Sequence, residues 1–403
     1  MKILKKNLTG QRVLIRVDFN VPLNARSQVT DDTRIRMALP TIQVLRQAGA
    51  SIILMSHLGR PQKKLLGDGS LDKERFSLKH LITDLERLLE CPVQFIDDCT
   101  GTEAVEATKK LNGGDIALLE NTRFHKGEGN GDAEFSGELS LLGDYYVNNA
   151  FGTAHRKHAS TYGIVKHFDS EKRCLGQLFE NELIHAAQLM DSKEAPFVAV
   201  VGGAKISDKI LLLENLLPRV NSILIGGAMA YTFLAAKGGK IGQSLVEVDR
   251  FQLALDLLTK AKELGVQIAL PTDSVVSENF EGSGSIMTCL SDEIPENMMG
   301  LDIGVRAIED FNRIILSAKR ILWNGPMGVF ENPKFSQGTK AIATSIAEAT
   351  KAGCFSLVGG GDSVAALAQT GTTEAISFVS TGGGAMLKLL EGNGLPAAEA
   401  LKK

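Results

Sequence analysis

The sequence predicts an α/β protein of two Rossmann-like lobes with parallel sheets, joined by a connecting helix and a hinge. Three observations carry this. Short apolar, β-branched runs recur along the chain. Helical patterns fall between them. One polar stretch, His167–Arg173 "HFDSEKR", separates the runs into two sets. Strands buried on both faces read as continuous apolar runs, and their alternation with helices implies parallel sheets covered on both sides. The 403 residues allow two or three domains at roughly 150 each.

In the first half the strand-like runs are Arg12–Val17, Ser51–Met55, Val93–Ile96, Asp115–Leu119 and Tyr145–Asn148. The second half supplies Phe197–Val201, Ser222–Gly226, Val266–Leu270, Arg320–Asn324, Cys354–Val358 and Ile376–Val379. That is too many for one ordinary open sheet. Between them, "LPTIQVLRQAG" and "DRFQLALDLLTKAKELG" are helices, each followed by glycine at the expected stop. A further helical pattern, "LFENELIHAAQLM", follows the polar stretch. The expected division is a first lobe over 1–170, a hinge and connecting helix over 171–192, and a second lobe over 193–390.

Composition narrows the function. The net charge of -3 gives no electrostatic reason to expect a nucleic-acid partner. Five scattered cysteines form no Cys-x-x-Cys pair, which argues against zinc and dithiol chemistry. Their odd number, with a charged N-terminus lacking an apolar leader core, leads to the expectation of a reducing, cytoplasmic setting. No run approaches the length of a membrane span, so no membrane partner is expected. Glycine is enriched, at 41 residues, many in pairs and triplets.

Ligands of open parallel sheets bind beyond the carboxyl ends of the strands, so residues just after each strand matter most. In the first lobe these are rich in cations. "RVDFNVP" brings Asp18 and Asn20, with Arg34 and Arg36 beyond; "SHLGRP" brings His57, Leu58, Gly59 and Arg60. "ENTRFH" carries Arg123 and His125, and "NNAFGTAHRKH" carries His155, Arg156 and His158. A single arginine there reads as a surface residue with its stem packed on the fold. Several aimed at one crevice repel one another unless an anion lies between them, and the planar guanidinium fork suits carboxylate and phosphate. The implied ligand is small and carries more than one negative group.

In the second lobe the same positions carry glycine: "VGGAKISDK", "IGGAMAYTF", "NGPMGVFE", "VGGGDSVAAL" and "STGGGAMLKLL". Any one of these is explained by a tight turn. Repeated around one sheet, they admit close backbone approach and offer free N–H groups to a nucleotide's phosphates. Lys205 and Lys209 stand where a helix begins. Cations are disfavoured there, which suggests that an anion completes the site. Asp362 in "GGGDS" reads either as a helix N-cap or as a ligand to Mg²⁺ held with phosphates. No P-loop or G-x-G-x-x-G fingerprint opens a βαβ unit, which counts against a dinucleotide-dependent dehydrogenase. A two-lobed solute-binding protein shares the arginines but not the glycine loops.

Taken together, "RVDFNVP", "SHLGRP", "NAFGTAHR", "GGAKISDKI", "WNGPMGVFE", "GGGDS" and "STGGGA", in this order from Arg16 to Ala385, resemble the phosphoglycerate kinase family. The resemblance implies reversible phosphoryl transfer between 1,3-bisphosphoglycerate and ADP, giving 3-phosphoglycerate and ATP with Mg²⁺. It implies that Asp18, Asn20, Arg34, His57, Leu58, Gly59, Arg60, Arg123 and Arg156 hold the glycerate ligand. Lys205, Lys209, Asn324, Glu331, Gly360, Gly361, Asp362 and Ser363 would serve the nucleotide, with Asp362 at the metal and Glu331 at the ribose hydroxyls. Gly382, Gly383 and Gly384 would face the phosphoryl group in flight, with Arg34, Lys205 and Lys209 cancelling its charge. It further implies a monomer, hinge closure, and a tail, 391–403, within the segment that begins "LEGNGLPAAEAL" at Leu390, that returns to the first lobe. Two departures stand out. The family pattern Asn-Asp-Ala-Phe is here Asn148, Asn149, Ala150, Phe151, which removes a carboxylate expected beside the basic pocket, and Arg173–Cys174 at the hinge is less typical.

Overall fold

The computed structural model describes Met1–Lys402. The chain divides into two compact units, Met1–Leu183 with the segment from Gly394 onward, and Ile184–Asn393. The helix Gln177–Asp191 carries the chain from one to the other.

The first unit is built on a six-stranded sheet. Its strands, in spatial order, are Val93–Ile96, Ile116–Leu119, Ser51–Met55, Arg12–Arg16, Tyr145–Asn148 and Arg173–Leu175. Every pairing is parallel. The apolar runs are continuous because both faces are covered. Val13, Ile15, Ile52 and Leu54 enter one core with Ile35, Ala38, Ile42 and Leu45 of the helix Thr33–Gln47. Leu14, Ile53, Met55 and Tyr146 enter the opposite core with Leu139, Ile164 and Leu401. Leu401 belongs to the C-terminal helix Pro396–Lys402, where the Ala397 N–H donates to the Ala154 carbonyl. Each fully buried Leu or Ile contributes about 1.5–3 kcal/mol.

The second unit repeats the scheme with Gln267–Ala269, Ser222–Ile225, Phe197–Val201, Arg320–Asn324, Phe355–Val358 and Phe378–Val379. Numbered along the chain, this order is 3-2-1-4-5-6, that of dinucleotide-binding folds. The order reverses between Phe197–Val201 and Arg320–Asn324. There the loops meet so closely that a Cβ on Gly202 would lie 1.9 Å from the Pro326 carbonyl oxygen, and one on Gly325, at φ +104°, 2.2 Å from that of Gly202. Only glycine fits at either place.

Three features depart from the sequence reading. The strand Arg173–Leu175 lies at the edge of the first sheet, in a region read as hinge. An antiparallel sheet of Ile286–Leu290, Asp273–Ser277 and Met299–Ile303 joins the second unit, which was read as wholly parallel. The helix after the first glycine pair starts at Ile210, so Lys209 is its N-cap residue and Lys205 lies in the loop before it.

Candidate active site

In the first unit the chain leaves Arg12–Arg16 into buried Asp18, whose Oδ2 accepts from Arg34 Nη1 at 3.0 Å. Its Oδ1 is buried without a hydrogen-bond partner. His57, just beyond Ser51–Met55, is 3% exposed, with Nδ1 at 3.1 Å from Arg16 Nη2. Burial, then the charges of Arg16, Arg123, His158 and Arg34, holds its imidazole well below the ordinary range. The next residues form a braced loop. The Gly59 N–H donates to Asn20 Oδ1 at 2.8 Å, and its carbonyl accepts from Arg123 Nη1 at 2.7 Å. Asn121 Nδ2 donates to the Leu58 and Phe76 carbonyls.

The structure distributes these residues over two cavities. One, of about 440 Å³, is lined by Arg60, Arg123 and Arg156 with His125, Lys126 and His158. The other, of about 620 Å³, is lined by Asn20, Leu58 and Gly59, but also by the acidic Asp72 and Glu74 and by Arg75. Arg34 lines neither. Only the smaller one is lined by cations without a carboxylate. Arg123 is drawn down to about 10, first by burial and then by the charges of Arg16 and Arg156, against the opposing pull of Glu128 and Asp18.

Asn149 does not belong to that pocket. It is fully buried, and its Oδ1 accepts from the Thr41 hydroxyl and from the Leu178 N–H, both at 3.1 Å. It braces the first turn of the connecting helix against the helix bearing Arg34. The carboxylate expected at this position therefore has a place at a helix start rather than beside the basic residues.

In the second unit, the Lys209 ammonium donates to Asn324 Oδ1. Burial lowers its pKa, against the opposing pull of Asp208, Asp362 and Glu391. Asn324 Nδ2 donates to the Gly359 carbonyl at 2.8 Å, and Ser363 Oγ accepts from the Gly325 N–H at 2.7 Å. Asn324 and Ser363 thus tie three glycine loops together. Lys205 is exposed. Its loop is fixed by Glu247, which accepts from the Ser207 N–H at 3.1 Å and hydroxyl at 2.5 Å. Gly360 is the N-cap of the helix Gly361–Thr370, so Asp362 is not the cap; it stands exposed in the first turn. Gly383 caps the helix Gly384–Leu390, and the Gly382 N–H donates to Ser380 Oγ.

A cavity of about 290 Å³ opens at this end of the sheet, lined by Gly203, Gly227, Glu331 and Asp362 together with Tyr231 and Phe280. Its apolar wall also takes Met299–Leu301 from the antiparallel sheet, which the sequence reading missed. Missed too were Glu247 and the buried, mutually bonded group Arg16, Glu128 and Ser160. Arg16 carried a signal, being a charge at the end of an apolar strand; Glu128, in a glycine-rich polar stretch, carried none.

The family model for phosphoglycerate kinase matches residues 3–393. The chain belongs to the phosphoglycerate kinase family. It is 47% identical over 397 residues to the phosphoglycerate kinase of Synechococcus sp. (strain JA-2-3B'a(2-13)), covering 98% of this chain and 96% of that protein. To that of Chlorobium phaeobacteroides (strain BS1) it is 49% identical over 392 residues, covering 97% and 96%. Among solved structures, the phosphoglycerate kinase of Coxiella burnetii superposes with a TM-score of 0.86 at 38% identity, covering 98% and 97%. That of Pyrococcus horikoshii OT3 gives 0.83 at 31%, covering 99% and 97%. The chain is thus a phosphotransferase with a carboxyl group as acceptor. It moves a phosphoryl group between 1,3-bisphosphoglycerate and ADP, with 3-phosphoglycerate and ATP as products, in glycolysis and gluconeogenesis. Among the described residues no helix is long and apolar enough to cross a membrane.

Proposed function

We propose that the two units divide this reaction, the first holding 3-phosphoglycerate and the second the nucleotide. The observation that carries the reading is the cavity of Arg60, Arg123 and Arg156, in which no carboxylate lies within ion-pair distance of these three arginines among the described residues. Asp18, Asn20, Arg34 and His57 order its surroundings, and Leu58 and Gly59 shape the loop. In the second unit Glu331 accepts from the ribose hydroxyls. Asn324, Gly360, Gly361 and Ser363 set the phosphate loops, and Gly382–Gly384 offer N–H groups to the moving phosphoryl.

In the ATP-consuming direction the acceptor carboxylate is already ionised at neutral pH, so no general base is required. What remains is alignment and cancellation of charge on the phosphoryl oxygens, the task of Arg34, Lys205 and Lys209. The residues fit Mg²⁺: Asp362 is an exposed carboxylate that shares this cavity with Glu331, and the ion is held by one or two carboxylates plus phosphate oxygens. When bound it supplies neutralisation of phosphate charge. We further propose that the protein works as a cytoplasmic monomer and closes about residues 171–192 when both substrates are present, a hinge motion of microseconds to milliseconds.

Calorimetry on Arg60→Ala and Arg123→Ala tests the division. 3-Phosphoglycerate binding should weaken while ADP binding stays as in the parent. Loss of ADP affinity in a well-folded Arg60→Ala protein would contradict the assignment. Small-angle scattering of the apo, singly and doubly liganded protein tests closure, with compaction expected only when both ligands are bound.

A further inference from the structure

Glu128 lies in the short helix Lys126–Asn130 and is fully buried. A buried carboxylate is costly unless it is paired and hydrogen-bonded. Here it is both. Oε2 accepts from the Ser160 N–H at 2.9 Å, and Oε1 accepts from the Ser160 hydroxyl at 2.6 Å. Because that hydroxyl gives its proton to Glu128, its oxygen is free to accept from Arg16 Nε, at 2.7 Å. Arg16 Nη2 lies 3.7 Å from Glu128 Oε1, and Nη1 donates to the Val17 carbonyl. His158 Nδ1 is also 3.7 Å from Oε1. The remaining direction of Arg16 Nη2 is taken by His57 Nδ1. A guanidinium has no acceptor. His57 Nδ1 must therefore accept, which leaves its proton on Nε2.

We propose that Glu128 is a positioning residue for 3-phosphoglycerate: clasped by Ser160, it locks the Arg16 guanidinium, and Arg16 in turn fixes the tautomer and orientation of His57. This rests on the reading above that His57 belongs to the glycerate site. The simplest competitor is that Glu128 acts only as a negative charge damping nearby cations. The two make opposite predictions for Glu128→Gln. Removing a bare charge from behind an anion site tightens anion binding. Removing the lock loosens Arg16 and His57 and weakens it.

The test combines steady-state kinetics with ¹⁵N spectra of the histidines. For Glu128→Gln the KM for 3-phosphoglycerate should rise on the order of tenfold, the scale of one lost buried charge-assisted hydrogen bond. The KM for ATP should stay unchanged. The parent His57 should show protonated Nε2 and unprotonated Nδ1 near neutral pH, and the variant a mixture of tautomers. Ser160→Ala keeps every charge and should move both readouts the same way; it serves if Glu128→Gln does not fold. A KM that falls or stays level, with the Nε2 tautomer intact, overturns the proposal. So does a parent His57 protonated on Nδ1, whatever the variants do. Failure of the site reading itself looks different: saturating 3-phosphoglycerate would leave the parent His57 resonances unmoved.

Discussion

A methyl group on Gly59 is the most direct probe of the braced loop. Gly59 has φ +62°, and a Cβ built there lies 2.5 Å and 2.6 Å from two carbons of the Phe76 ring. Carbon atoms pack best about 3.5–4.0 Å apart, so the ring must retreat by about 1 Å. Phe76 is buried, and its carbonyl is held by Asn121. Left-handed backbone costs an L-residue about 1–2 kcal/mol, and overpacking a tight site adds about 1–3 kcal/mol. Gly59→Ala should therefore destabilise the first unit by about 2–5 kcal/mol. Because Gly59 pins both Asn20 and Arg123, backbone relief of the clash should also raise the KM for 3-phosphoglycerate and leave that for ATP alone.

Urea unfolding and steady-state kinetics on Gly59→Ala, Phe76→Ala and the double variant measure both effects. Deleting the ring removes the clash but not the φ cost. The double variant should recover about 1–3 kcal/mol relative to the sum of the singles. A stable Gly59→Ala protein with an unchanged glycerate KM would refute the reasoning, since the loop would then tolerate side chains without disturbing Asn20 and Arg123.

Three further outcomes are expected. Lys205→Ala should lower kcat far more than it raises the KM for 3-phosphoglycerate, because its charge acts on the phosphoryl in transit; an unchanged kcat with a raised nucleotide KM would make it a binding residue only. Asn149→Asp should fold and retain activity: a carboxylate at the start of the connecting helix is favourable, and the asparagine Nδ2 it replaces is buried without a partner. A loss in kcat/KM beyond about a hundredfold, roughly 2.7 kcal/mol, would show asparagine to be required. Acid should destabilise the first unit. His57 lies well below its ordinary value and His158 at about 4, both mainly through burial. With folded values depressed, the unfolded chain takes up protons first, so stability is full above the unfolded value of about 6.5 and falls as pH drops towards 4. Denaturant midpoints at pH 7.5, 6 and 5 should decline, and His158→Gln should flatten the slope.

The parallel cores were legible because their strands are buried on both faces, which leaves unbroken apolar runs such as "VLI" (13–15) and "IILM" (52–55) whatever the rest of the chain does. Arg173–Leu175 escaped because three residues at a sheet edge carry no period, and the pairing with Tyr146–Asn148 that makes them a strand is not local. The antiparallel sheet escaped for a related reason. Ile286–Leu290 is largely exposed and mixes Met, Thr and Cys, so neither a continuous nor an alternating apolar signal survives. Its identity comes from the register of Asp273 opposite Leu290, set by the fold.

The site shows the same boundary between local and nonlocal information. The strand-end rule identified residues from four separate motifs, and the structure gathers Arg60, Arg123 and Arg156 around one cavity. Sequence reasoning also inferred that so many cations require an anion between them, but it treated them as one group. The structure sorts them. Arg16 is answered by Glu128 and Arg34 by Asp18. Arg60, Arg123 and Arg156 have no such carboxylate among the described residues, and burial makes the mutual repulsion of Arg123 and its neighbours stronger than it is in water. An anion entering that cavity thus gains from attraction and from relief of repulsion at once, while the two carboxylates already spent on Arg16 and Arg34 keep the surrounding shell in place. Glu128 is invisible in a stretch reading "HKGEGNGD" because its meaning depends on Arg16 and Ser160, which lie 112 residues before it and 32 after it. Such a buried counter-charge does not announce itself by residue type or period; it is the part of an anion site that only the folded chain defines.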